Sequence, residues 1–114
     1  MTKLLEARDI LSQRGLTKDG TLENSSTGCL CALGALNMAY WGCSGEGEDS
    51  LDAYWPSDPD QVADLRALAK EVVRRKSWSN ELEDCKPIYR YNDDPSTTLE
   101  DMLSLFTEAA ANLD

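Results

Sequence analysis

Gly28-Cys29-Leu30-Cys31-Ala32-Leu33-Gly34-Ala35-Leu36 is the stretch on which the fold turns. It carries no charge, and the apolar run continues through Met38, Ala39, Tyr40 and Trp41 to Gly42. Leu30, Leu33, Leu36, Met38, Ala39 and Tyr40 fall around the whole circumference of a helix. A helix that is apolar all round sits in the middle of a domain. The reading is a central helix over residues 28–41, N-capped by Ser26 or Thr27 and ended by Gly42. Gly34 leaves room for a neighbouring helix to approach closely.

The two thiols in this stretch raise the question of metal or redox chemistry. On a helix, residues two apart point about 200° apart, so Cys29 and Cys31 cannot share a metal. Cys43 and Cys85 lie far along the chain, and no paired Cys-x-x-Cys knuckle is present. The expectation is buried, inert thiols, reduced in a cytosol, with no metal and no cofactor.

Outward from the central helix, the periodicity predicts three more. Over residues 2–14, Leu4, Ala7, Ile10 and Leu11 form an apolar stripe, with Leu5 at its edge. Gly15 ends that helix as a left-handed cap, with Leu16 making its hydrophobic contact. Asp58 N-caps a third helix, Pro59 takes its first position and Gln61 completes a capping box. Its core stripe is Val62, Leu65, Leu68, Ala69 and Val72, and Arg74, Arg75 and Lys76 complement its negative end. A fourth helix starts at Thr97, capped with Glu100, and runs through Leu99, Met102, Leu103, Phe106, Ala109 or Ala110, and Leu113.

The connections are less regular. Asp19-Gly20 is a turn signal, so residues 16–22 allow a short hairpin. Residues 43–57 form an acidic, Gly-rich loop, of a length that often carries function. Pro87 reads as a helix breaker and residues 88–91 as extended. Asn92-Asp93-Asp94-Pro95 reads as a turn, with Asn92 and Asp93 in structural roles there.

With 114 residues the chain fits one domain, residues 1–114, large enough to bury a core without staples. The fold class is all-α: about four helices, with little or no β structure. The charge balance excludes more than it assigns. Asp and Glu outnumber Lys and Arg by 21 to 11, a net charge of −10, which disfavours nucleic acid phosphates and anionic membrane surfaces as partners. No apolar run reaches the ~20 residues a membrane span needs, and the N-terminus turns polar at once, so a cytoplasmic protein is expected. The chain has no histidine, which removes the usual general base and the commonest metal ligand. No phosphate-binding loop and no nucleophile elbow is present.

A non-enzymatic protein-binding module is therefore the leading expectation. Trp41, Tyr54, Trp55 and Trp78 flank the acidic loop, and one or two exposed aromatics there would anchor a partner. The expected contact set is Glu46, Glu48, Asp49, Asp52, Tyr54, Trp55 and Trp78. Two alternatives stand beside it. An extended stripe of carboxylates would make the chain a nucleic-acid mimic that inhibits a DNA-binding protein. A pocket holding Asn92, Asp93 and Asp94 would make it a small-ligand binder or a weak carboxylate-based enzyme.

Residues 28–36 resemble a Cys-Leu-x-Gly-Ala-Leu helix, and residues 91–103 resemble a Trp-Asn-Asp turn followed by an Arg-Thr-x-Glu-Glu-Val-Leu helix start. Together, after an N-terminal helix ending in Arg14-Gly15, they are similar to a family of small actinobacterial and actinophage proteins with no established activity. The chain departs from that pattern at Tyr91, where the family usually has tryptophan, and at Ser96, where it has arginine before the threonine. The resemblance implies a cytoplasmic helical domain, phage-encoded, that modulates a host protein.

Overall fold

The computed structural model describes residues 2–18, 23–24, 26–42, 58–76 and 86–113. They form five helices: α1 Leu4–Arg14, α2 Ala32–Trp41, α3 Pro59–Lys76, α4 Lys86–Asp93 and α5 Leu99–Leu113. Among the described residues there is no sheet; Leu30 alone bridges in parallel to Leu16 and antiparallel to Glu23.

The extra helix is α4. Pro87 sits in its first turn instead of breaking it. A proline in the first turn loses no intrahelical bond, because that N–H has no partner there anyway. The expected extended segment at 88–91 is therefore helical, and Asn92 and Asp93 belong to its last turn. Ile88 and Tyr91, three apart, share its buried face.

Helix α2 starts four residues later than the sequence suggests. Its N-cap is Cys31, whose Sγ accepts the Gly34 N–H at 3.3 Å, in place of Ser26 or Thr27. Residues 28–30 are not helical. Gly28 takes a φ of +78°, and Leu30 donates its N–H to Gly15 O at 2.8 Å while its own carbonyl accepts from Thr17 at 3.0 Å. The polar stretch before it closes on Asn24, whose Oδ1 accepts the N–H groups of Ser26 (2.9 Å) and Thr27 (3.1 Å). Leu16 thus pairs with Leu30. The other arm of the expected hairpin, residues 19–22, lies outside the described residues.

Two caps also differ in detail. Gly15 has φ 91° and ψ 164°, so it turns the chain outward into the Leu16–Leu30 pairing rather than closing a left-handed cap. At α5 the capping box is shifted by one residue. Thr98 Oγ1 accepts the Asp101 N–H at 3.1 Å, and Asp101 Oδ2 accepts the Thr98 N–H at 3.0 Å. Thr97 is buried, and its hydroxyl has no hydrogen-bond partner among the described residues. Gly42 and Asp58 behave as the sequence suggests. Gly42 is left-handed (φ 76°, ψ 6°), and Asp58 Oδ1 accepts from Asp60 and Gln61 at 2.9 and 3.1 Å.

Helix α5 packs against both α1 and α3, α2 lies against α1 and α4, and α4 lies against α3. The core joins Leu4, Ala7 and Leu11 of α1 to Leu33 and Leu36 of α2, Leu68 and Val72 of α3, and Met102, Leu105 and Phe106 of α5. Only the first half of α2 is enclosed. Ala32 to Leu36 are buried, and Trp41 is 57% exposed.

Candidate functional site

Three clusters of polar side chains stand out, and their chemistry differs. The first centres on Asn92, fully buried at the C-terminal end of α4. Its Oδ1 accepts the Ala32 N–H, the first of α2, at 2.9 Å, and its Nδ2 donates to Thr17 O at 2.9 Å. Beside it, Lys18 Nζ donates to the carbonyls of Asn92 (2.8 Å) and Asp94 (2.6 Å), placing a cation where the helix dipole wants one. Burial pulls the Lys18 ammonium below its ordinary pKa, against the field of Asp93, Asp94 and Asp101. Asp94 Oδ1 accepts from the N–H and hydroxyl of Ser96 at 2.9 and 2.7 Å, and these bonds hold its carboxyl below the usual range.

This cluster is spent on architecture. Asn92 and Lys18 tie the end of α4 to the start of α2 and to residues 17–18. An open depression lies alongside, lined by Tyr89, Arg90, Asp93, Asp94 and Pro95. Asn92 is not part of it.

The second cluster lies where the end of α2 meets the start of α3. Gln61 and Asp64 are 2% and 1% exposed, polar groups on the otherwise apolar face of α3. The Gln61 side chain, expected to complete a capping box, turns instead toward α2. Its Oε1 accepts the Trp41 indole N–H at 2.8 Å, and its Nε2 donates to Asn37 Oδ1 at 2.7 Å. Asp64 Oδ2 accepts the Lys3 backbone N–H at 3.0 Å and also the Tyr40 hydroxyl. Burial first, then the bond to Asp64 and the field of Asp60 and Asp58, push the Tyr40 phenol above its ordinary pKa.

The aromatic pair completes the surface. The Tyr40 and Trp41 rings lie 6.3 Å apart, tilted by 40°. Lys3 Nζ sits over the Tyr40 ring, 5.8 Å from its centroid. Trp41 thus projects from the protein while its one polar atom is fixed by a buried glutamine.

A third cluster is an ion-pair network on α3. Glu71, 2% exposed, accepts from Arg74 and from Arg75 Nε at 3.0 Å, and Arg75 reaches on to Ser104 of α5 at 3.0 Å. Its role is to hold α3 on α5.

Glu46, Glu48, Asp49, Asp52, Tyr54, Trp55 and Trp78 all lie outside the described residues, as do Cys43 and Cys85. Cys29 is partly exposed and Cys31 is buried, and both are free thiols. Cys31 acts as an N-cap and Gly34 is buried within α2. Among the described residues no group of three or more His, Cys, Asp or Glu could hold a metal ion. None of the described helices is long and apolar enough to cross a membrane.

The sequence reading named Trp41 only as a flank of the loop and missed its supports. The signal for them is present in the sequence: Gln61 and Asp64, three apart, fall on the core face of α3. A polar group on such a face must find a partner or destabilise the fold.

Fold and surface together define a small, mainly helical protein with an ordered aromatic pair beside buried polar supports. A family model described as a family of unknown function (DUF6197) matches residues 2–112, and the chain belongs to that family. No curated protein and no solved structure matches the chain.

Proposed function

We propose that this chain is a small, acidic, non-enzymatic module that docks on another protein through the surface centred on Trp41. The observation that carries the reading is the ring itself: 57% exposed, yet held by a hydrogen bond to the buried Gln61. Tryptophan is the residue most enriched among interface hot spots, and an exposed one fixed in place contributes contact area at small entropic cost. The buried carboxylates support a binding role over a catalytic one, because Asp64 holds the Lys3 backbone N–H and Glu71 is paired with Arg74 and Arg75 of its own helix. The likeness of residues 28–36 and 91–103 to actinobacterial and actinophage proteins supports a modulator of a host protein, acting in the host cytoplasm.

Affinity capture from lysate of the encoding organism or its host tests this reading. Wild type and Trp41→Ala are compared at low and high salt, with a charge-matched acidic protein as control. One protein retained by wild type and lost with Trp41→Ala is the expected result. A partner equally retained by the variant, and released by salt alone, would replace the aromatic contact with nucleic-acid mimicry.

A further inference from the structure

We infer that Asp64 and Tyr40 are positioning residues for the Trp41 surface: Asp64 fixes the Tyr40 hydroxyl, and the Tyr40 ring in turn braces the indole; this rests on the docking role proposed above. The contacts run in an unbroken series. Asp64 Oδ2 accepts the Tyr40 hydroxyl and, at 3.0 Å, the Lys3 backbone N–H. The Lys3 ammonium lies over the Tyr40 ring, 5.8 Å from its centroid. The Tyr40 and Trp41 rings meet at 6.3 Å with a tilt of 40°, within the range in which aromatic pairs attract. Gln61, one turn before Asp64 on α3, accepts the indole N–H at 2.8 Å. Two successive aromatic residues of α2 are thus each tethered by one of two polar residues a turn apart on α3.

The placement of Asp64 is costly for packing alone. A carboxylate 1% exposed on the core face of a helix loses hydration that an aliphatic side chain never had. Among the described residues its hydrogen bonds come from two neutral donors. One role that would explain it is to anchor the start of α1 through the Lys3 N–H, with the Tyr40 bond incidental. The setting of Tyr40 favours more than that. Tyr40 is only half-buried, so water could serve its hydroxyl, yet that hydroxyl is turned onto a buried carboxylate. A phenol held at its hydroxyl cannot change rotamer without breaking that bond. The side of the ring that meets Trp41 is therefore set from α3.

Nuclear magnetic resonance of the 15N-labelled full-length protein tests the inference. The Trp41 indole N–H is assigned by its loss in Trp41→Leu. The variants are Tyr40→Phe, which keeps the ring and removes the hydroxyl, Asp64→Leu, which removes the acceptor, and Asp64→Asn, which keeps an oxygen for the hydroxyl. The readout is fast motion of the indole N–H, which a loss of global stability alone does not change. In Tyr40→Phe and Asp64→Leu the indole order parameter is expected to fall from near the rigid value of about 0.85 toward about 0.6, with Asp64→Asn close to wild type. An order parameter unchanged in Tyr40→Phe would overturn the inference, and Asp64 would then anchor the start of α1 only. Tyr40→Phe decides alone if Asp64→Leu does not fold. A partner lost with Trp41→Leu beside an unchanged indole in Tyr40→Phe would overturn the positioning and leave the docking role standing. A loosened indole beside a partner retained by Trp41→Leu would uphold the positioning of the ring and overturn the docking role instead.

Discussion

Asn92 Oδ1 accepts the backbone N–H of Ala32 at 2.9 Å, so the last turn of α4 caps the first turn of α2 across 60 residues of sequence. The same amide donates to Thr17 O at 2.9 Å. One fully buried side chain therefore ties together three segments: the end of α4, the start of α2 and the non-helical stretch at Thr17. Replacing Asn92 by alanine leaves the Ala32 N–H and the Thr17 carbonyl without partners. The expected loss is about 2–4 kcal/mol in urea unfolding, with the slope unchanged. Asn92→Asp should cost as much or more, because it turns an oxygen toward the Thr17 carbonyl. A loss below about 1 kcal/mol in Asn92→Ala would show that the node is not structural.

The start of α5 separates two adjacent threonines. Thr98 closes the capping box with Asp101, whereas the Thr97 hydroxyl is buried with no partner among the described residues. Thr98→Ala should cost about 1 kcal/mol. Thr97→Val swaps a buried unpaired hydroxyl for a methyl group of the same shape and should be neutral or stabilising by up to about 1 kcal/mol. Thermal melts of the two variants should therefore move in different directions.

That pair shows where sequence reading stopped. Capping-box spacing marks a helix start, but both Thr97–Glu100 and Thr98–Asp101 satisfy it, and only packing decides which hydroxyl faces the helix end. The long, strongly periodic helices α1, α3 and α5 were legible because their apolar faces must meet. Even there, the fully buried Leu105 was missed beside the partly exposed Leu103. Helix α4 is not legible, because a proline can either break a helix or sit in its first turn, and the choice at Pro87 depends on Ile88 and Tyr91 finding the core. The surface at Trp41 was half legible. The ring was visible in the sequence, but its anchor Gln61 was assigned to a cap that Asp58 alone provides.

Glycine positions give a graded test of backbone strain. Gly15 has φ 91° and ψ 164°, a region almost restricted to glycine, and an added Cβ would lie 3.1 Å from Cys29 Sγ. Gly42 is left-handed, and no atom of the described residues lies within 4 Å of the added atom. Gly15→Ala should cost about 2–3 kcal/mol and Gly42→Ala about 1 kcal/mol. Equal costs would contradict the outward turn at Gly15.

Acid stability should depend on Glu71. The hydrogen bond from Arg74, reinforced by Arg75, holds its carboxyl below the ordinary 4.5 in spite of burial. A depressed folded pKa means that this stabilisation is complete above about pH 4.5 and is lost as pH falls through the folded value. Urea midpoints followed from about pH 6 to about pH 3 should fall less steeply for Glu71→Gln than for wild type. The limb should not vanish, because Ser96 holds Asp94 below its usual value in the same way. An identical pH profile in the variant would remove Glu71 from the account.

The proposed docking surface lies at Trp41 and not at the depression beside Asp93. Quantitative capture from one lysate by three folded chains tests it directly: wild type, Trp41→Leu, and Tyr89→Ala, which alters the depression. The account predicts one partner held equally by wild type and Tyr89→Ala and lost with Trp41→Leu. A partner lost with Tyr89→Ala and kept with Trp41→Leu would contradict it and move the site to the end of α4.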